Sequence, residues 1–232
     1  MRILYIILHK YLRLSLSDIE TFEMDCTNPE QVIIGTNGSG KSSIVDALAQ
    51  KGYQIFKELP KTKEELEATN PDSLEYAIRS FLQQGHKDDG ATRNILSLMF
   101  TKMRKNYQPR LLEMLAKGNV VMDRGILSTM VYGMTANLKN NKAMFEANLK
   151  TQRPDIIIYL QVDLDTAMER IADRDGHGLD EVEVYKKQEP MVKNLFNYNY
   201  VMEEMKDELN IVTIDAMQSP EKVLEDVLRA IQ

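Results

Sequence analysis

The sequence has 232 residues, enough for one large α/β domain with a sizeable core. With 43% hydrophobic and 28% charged residues, a net charge of -6 and a pI near 5.3, it has the balance of a soluble globular protein and lacks the basic surplus of most nucleic-acid binders. The single Cys26 excludes a disulfide framework and a four-cysteine zinc site, and His9, His86 and His177 are too widely spaced to suggest a metal cluster.

In chain order, Ile3–Leu8 and Ser15–Met24 read as strands, with turn chemistry at Ser17–Asp18; together they suggest an N-terminal strand or hairpin extension over residues 1–30. The apolar start is broken by His9, Lys10 and Arg13 and lacks a small-residue cleavage site, so it is a poor signal peptide. No apolar run reaches the length of a membrane span. The expectation is a cytoplasmic, reduced protein without a membrane partner.

Thr27-Asn28-Pro29 is a turn, and Val32-Ile33-Ile34 a buried strand. Gly35-Thr36-Asn37-Gly38-Ser39-Gly40-Lys41-Ser42 follows, with a helix expected over Ser43–Lys51 and Gly52 as its stop. This is G-x-x-x-x-G-K-S between a strand and a helix, the context that separates a phosphate-binding P-loop from an accidental glycine-rich turn. The glycines let successive backbone N–H groups turn inward toward phosphate oxygens, and the new helix adds its positive end. Lys41 supplies a cation for the β- and γ-phosphates, and the Ser42 hydroxyl is a candidate Mg²⁺ ligand.

Tyr53–Phe56 reads as a second strand, Ser73–Gln84 as a helix, and Thr92–Ala116 as a long helical pattern interrupted near Pro109. Asn119–Met122 is a short buried strand, and Ser128–Phe145 has helical propensity. Pro154–Val162 is the clearest parallel-sheet strand, followed by helices over Asp165–Arg174 and much of Glu181–Leu209. Ile211–Ile214 is a last strand and Pro220–Ile231 a last amphipathic helix. Strands alternating with helices predict the α/β class: a three-layer P-loop NTPase fold with a mainly parallel sheet flanked by helices.

Three further constellations carry chemistry. Phe100 and Arg104, four apart on a helix, can stack on a base and hydrogen-bond its edge, although a core Phe with a solvated Arg is the commoner meaning of that spacing. Asp123-Arg124 stands at the carboxyl end of a strand, where ligands bind; Arg124 can clamp a phosphate or simply form a strand-end ion pair. Ser128, Thr129 and Tyr132 follow at spacings that return to the same pocket or pack. Arg170 and Arg174 precede the loop Asp175-Gly176-His177-Gly178; a mobile arginine loop beside a P-loop suits closure over phosphates, and an exposed basic helix end is the plainer alternative.

The order of these segments (the P-loop, LMFTKMR, VVMDRGILSTMVYG, RPDIIIYLQVDLDTAMERI, the arginine loop with Leu179-Asp180, and IVTIDAMQSPEKVLEDV) resembles the thymidylate kinase family from about Val32 to the C-terminus. The resemblance implies phosphorylation of a deoxynucleoside monophosphate, dTMP above all, with ATP and Mg²⁺, in a kinase domain over 31–232 with a lid near 173–182. It assigns ATP to Gly35, Asn37, Gly38, Ser39, Gly40, Lys41, Ser42 and Ser43, with Ser42 on the metal. It assigns the base to Phe100 and Arg104, the acceptor phosphate to Arg124 and Lys57, and the nucleoside pocket to Ser128, Thr129 and Tyr132. Lys41, Arg124 and a lid arginine become the catalytic set, with Arg174 the first candidate and Arg170 the second. The family is commonly homodimeric and acts on free nucleotides.

This chain departs from the family pattern at three positions. Asn37 stands where a carboxylate is usual, Lys57-Glu58-Leu59-Pro60 where Arg-Glu-Pro is usual, and Gly125 where an aromatic or His is common. Residues 1 to about 45 also resemble the opening of the structural-maintenance-of-chromosomes and double-strand-break-repair ATPases, but the sequence has neither their Leu-Ser-Gly-Gly signature nor a strand ending in Asp-Glu. A deoxynucleoside kinase with Glu58 as base and Arg124 at the transition state, a broad-specificity monophosphate kinase, and an ATP-binding DNA-repair module remain the alternatives.

Overall fold

The computed structural model describes residues 30–59, 65, 68, 70–83, 90–133, 146, 149, 153–175 and 181–232. Residues 1–29 of the expected N-terminal extension, the helical propensity expected over 134–145, and residues 176–180 of the expected lid lie outside them. The strands are β1 (Glu30–Ile34), β2 (Gln54–Lys57), β3 (Val120–Asp123), β4 (Ile156–Gln161) and β5 (Ile211–Asp215). The helices are α1 (Lys41–Gln50), α2 (Leu74–Gln83), α3 (Gly90–Leu115), α4 (Ile126–Gly133), α5 (Leu164–Asp175), α6 (Glu181–Met205) and α7 (Pro220–Ala230).

Among the described residues the strands form one sheet of order β2-β3-β1-β4-β5, parallel throughout. β1 lies centrally, with Val32 opposite Met122 on one side and Ile157 on the other. Its unbroken apolar run follows from burial on both faces. Val32, Ile34, Val120, Met122, Ile157 and Tyr159 join a layer that includes Met103, Tyr107 and Leu111 of α3 and Tyr198 and Val201 of α6. The alternate residues Ile33, Val121, Ile158 and Leu160 pack with Ile44 and Leu48 of α1 and Val223 and Val227 of α7. Each such fully buried aliphatic side chain contributes about 1.5–3 kcal/mol.

Two helices run through a proline. The break expected near Pro109 is absent: α3 continues from Gly90 to Leu115, and α6 likewise contains Pro190. Losing one backbone donor weakens a helix locally. In α3 that loss is outweighed by tertiary packing, because Met103, Tyr107, Leu111 and Leu115 on either side of Pro109 are all buried. Arg110 also lies over the Phe56 ring, 5.2 Å from its centroid.

Helix ends follow local chemistry. Asp163 Oδ1 accepts from Thr166 N at 2.7 Å at the start of α5, so this aspartate after β4 serves as a cap. Ser219 caps α7, with Pro220 at its first turn. No helix among the described residues is long and apolar enough to cross a membrane.

Candidate active site

The carboxyl ends of β1 and β3 open into a cavity of about 1000 Å³. The P-loop and the start of α1, Asn37 to Ile44, line it. Gly38 has φ 80° and Gly40 φ 84°, left-handed values that glycine adopts at no steric cost. A Cβ at Gly38 would also lie 2.4 Å from the Ala167 carbonyl oxygen, so α5 packs directly on the loop. α1 starts at Lys41, two residues earlier than its periodicity suggests, and its first bond runs from Ile44 N to Gly40 O at 3.1 Å. Lys41 is buried, and its Nζ donates to the Thr36 carbonyl at 2.5 Å. Thr36 in turn donates its hydroxyl to Met191 Sδ at 3.1 Å, which ties the loop to α6. Ser42 and Ser43 are exposed on the first turn and line the cavity.

Arg124 follows β3. It is the only non-glycine residue with a left-handed φ, 77°, among those described. Such a conformation costs of order 1–3 kcal/mol and persists only where its surroundings fix it. Here they do: Arg124 N donates to Ile33 O at 3.0 Å, Nη1 to the Tyr132 hydroxyl at 3.0 Å, and Nη2 to Asn37 Oδ1 at 3.3 Å. The guanidinium also lies 5.3 Å from the Tyr132 ring centroid. Arginine can only donate, so the Asn37 oxygen must face it and the amide nitrogen turns away. Burial opposes the Arg124 charge, but Tyr132, Tyr198 and Asp123 outweigh it and hold the pKa above the ordinary guanidinium value. Tyr132 and Tyr198 meet through their hydroxyls at 3.4 Å, and burial pushes the Tyr198 phenol well above its usual range.

Arg104 is expected from the sequence to hydrogen-bond a base edge beside Phe100, or else to be a solvated arginine; the structure does not leave it solvated. It is 1% exposed, and each of its three side-chain nitrogens donates a hydrogen bond within the protein. Nε donates to Glu58 Oε1 at 2.7 Å, Nη1 to Thr129 Oγ1 at 2.7 Å and Nη2 to the Gly125 carbonyl at 3.2 Å. Glu58 also accepts from the Tyr107 hydroxyl at 3.0 Å. The Phe100 ring lies beneath the guanidinium, 5.7 Å away, and both residues line the cavity. Glu58, the candidate base of the deoxynucleoside kinase alternative, is therefore committed to a buried ion pair.

The remaining expected residues are mixed. Lys57 lines the cavity but pairs with Glu65 at 2.8 Å, and that bond raises its pKa. Ser128 and Thr129 stand on α4 at the cavity wall. Arg170, the second lid candidate, donates from Nη1 to the Gly38 carbonyl at 3.4 Å. The Arg174 backbone continues α5, but its side chain is outside the described residues. Sequence reasoning missed Tyr107, Tyr198 and Gln218. Tyr107 alone left a signal, three residues after Arg104 on one helical face.

No group of three or more His, Cys, Asp or Glu among the described residues could hold a metal alone. Ser42 and the buried Asp123 carboxylate do line the same cavity. Their oxygens fit a hard cation such as Mg²⁺, which completes its shell with waters and phosphates.

Comparison with known proteins accords with this geometry. A family model described as thymidylate kinase matches residues 33–227. A probable thymidylate kinase of Methanococcus maripaludis is 26% identical over 201 residues, covering 86% of this chain and 93% of that protein. A thymidylate kinase of Colwellia psychrerythraea is 28% identical over 206 residues, covering 86% and 92%. Among solved structures, a deoxyadenosine kinase from M. mycoides with the products dCMP and a flexible dCDP bound aligns with a TM-score of 0.58 at 22% identity. That alignment covers 86% of this chain and 97% of that one, a likeness of fold.

Proposed function

The chain belongs to the thymidylate kinase family, and from that premise we propose that it transfers the γ-phosphoryl group of ATP to dTMP, giving ADP and dTDP. The observation that carries this reading is a single cavity lined both by Lys41 and Ser42 of the P-loop and by Phe100, Arg104 and Arg124. A donor triphosphate and an acceptor nucleotide can therefore meet inside one cavity.

In this reading the backbone N–H groups of residues 37–43 cradle the donor phosphates and Lys41 neutralises charge on the moving group. Arg124 holds the acceptor phosphate with a guanidinium fork kept in place by Asn37 and Tyr132. Phe100 supplies the flat apolar face for the base, and Arg104 reads its edge from a position fixed by Glu58 and Thr129. Ser128, Thr129 and Tyr132 line the nucleoside pocket, and Lys57 assists at the phosphate. No general base is needed, because the acceptor phosphate is already an anion. The lid arginine is Arg174 or Arg170; the contact of Arg170 with Gly38 favours the latter. Mg²⁺, when bound with the triphosphate, would be held by Ser42 with Asp123 nearby, and would supply charge neutralisation at the phosphates. The reading includes a cytoplasmic homodimer acting on free nucleotides, with no nucleic-acid partner; family membership and the acidic pI support it.

The test is an ATP-to-ADP assay with Mg²⁺ against dTMP, dUMP, dGMP, dCMP, dAMP and thymidine, with products resolved. A diphosphate from dTMP alone is expected. Phosphorylation of thymidine without dTMP turnover would replace this reading with the deoxynucleoside kinase one.

A further inference from the structure

The donor end of the cavity contains a side chain whose hydrogen-bonding polarity is set by its neighbours. Beyond the P-loop, the apolar residues Ile44, Ile171, Ala216, Pro220 and Val223 line the same cavity, together with the polar Gln218 and Arg170. Gln218 lies in the loop between β5 and α7. That loop is held from both ends: Met217 N donates to Asp215 Oδ1 at 2.9 Å, and Ser219 caps α7.

The Gln218 carboxamide cannot turn freely. Its Nε2 donates to the Asp215 carbonyl at 3.0 Å and to Asp226 Oδ2 at 3.3 Å. Both partners can only accept, so nitrogen must face them. Asp226 is itself fixed by Lys222 and Arg229, each 3.3 Å from its Oδ1. With both amide hydrogens committed, the polar atom that the carboxamide offers to a ligand is Oε1, an acceptor.

We propose that Gln218 sets the base preference of the phosphoryl donor, presenting Oε1 to the 6-amino group of a purine nucleoside triphosphate, with Asp226 as the positioning residue that fixes this polarity. The inference rests on the kinase reading of the cavity and extends it to a residue of this chain. A 6-amino purine donates into Oε1. A 6-oxo purine sets oxygen against oxygen, and Gln218 cannot reverse itself without abandoning Asp215 and Asp226. Leaving such a polar pair unmatched at a partly buried side chain corresponds to about a tenfold difference in binding.

The experiment is displacement of a fluorescent ATP analogue by ATP and by ITP, which differ in carrying a 6-amino or a 6-oxo base. It is run on the wild-type chain, Gln218→Met and Asp226→Leu. Wild type should bind ATP about tenfold more tightly than ITP. Gln218→Met should bring the two within about threefold, mainly by weakening ATP. Asp226→Leu, which leaves Gln218 intact but held by the Asp215 carbonyl without the Asp226 carboxylate, should lower the same ratio. Equal affinities in wild type, an unchanged ratio in Gln218→Met, or equal weakening of both nucleotides in that variant would overturn the proposal. An Asp226→Leu ratio equal to wild type would overturn the positioning role. Binding is read without an acceptor, so a failure to phosphorylate dTMP would count against the proposed reaction and leave this test intact.

Discussion

Glu58 and Arg104 form a buried pair whose energetics can be measured without any substrate. Arg104 is 1% exposed and Glu58 accepts from it at 2.7 Å. Replacing Glu58 with Leu removes the counter-charge of a buried guanidinium that still donates to Thr129 and the Gly125 carbonyl. It also removes the carboxylate that accepts from the Tyr107 hydroxyl. Breaking a buried pair from one side costs about 3–5 kcal/mol, because the surviving charge is desolvated and uncompensated. Burial opposes the Arg104 charge and Glu58 outweighs that penalty, which keeps its pKa raised. The double variant Glu58→Leu with Arg104→Met removes both charges and should recover most of the loss, to within about 1–2 kcal/mol of wild type. Urea unfolding at constant m gives all four corners of the cycle. A Glu58→Leu cost below about 1 kcal/mol, or a double variant that simply sums the two singles, would refute the claim that the pair is energetically a unit.

Other consequences concern the site and its pH response. Lys41→Ala should lower kcat for dTMP phosphorylation by at least about a hundredfold while the fold persists, measured by steady-state kinetics beside thermal unfolding; near-normal turnover would sink the kinase assignment. Arg124→Lys should raise KM for dTMP and reduce kcat/KM by about tenfold or more, because a point charge cannot span Asn37, Tyr132 and a phosphate at once; equal kinetics would mean the fork is not used. Burial pushes the Tyr159 phenol up to about 12 from 10.0, and Tyr198 moves the same way. The folded state then keeps protons that the unfolded chain has lost, so this stability is complete below pH 10 and is lost as pH rises toward 12. Chemical unfolding across that window should fall by at most about 1.4 kcal/mol per pH unit for each such phenol, and Tyr159→Phe should make the slope shallower.

What was legible in the sequence was what the chain encodes locally. Gly35 to Ser42 is contiguous, and its geometry follows from glycine and the helix that begins at Lys41. The strands were legible because residues 32–34, 120–122 and 156–160 are apolar without a break, as burial on both faces requires. Pro109 misled because a local rule lost to distant packing on α3. The state of Arg104 was hidden for the same reason. Glu58 is 46 residues away, and only the closing of β2 against β3 brings it beneath α3. Tyr198 reaches Tyr132 across 66 residues, a distance that no periodicity carries.

The neutral Asn37 also becomes intelligible only in three dimensions. Its oxygen meets Arg124 from the P-loop while Tyr132 meets it from α4, so the guanidinium is held by two neutral acceptors. A carboxylate at residue 37 would hold the arginine more strongly but would neutralise the positive charge that, in the proposed reaction, attracts the incoming phosphate. Asn37 keeps the orientation and leaves the charge available. Lys57 is the opposite case, since Glu65 already compensates it and it sits at the more exposed side of the cavity. In the proposed reaction Arg124 is the cation aimed at the acceptor phosphate, and the left-handed backbone at that residue is the conformational cost of aiming it.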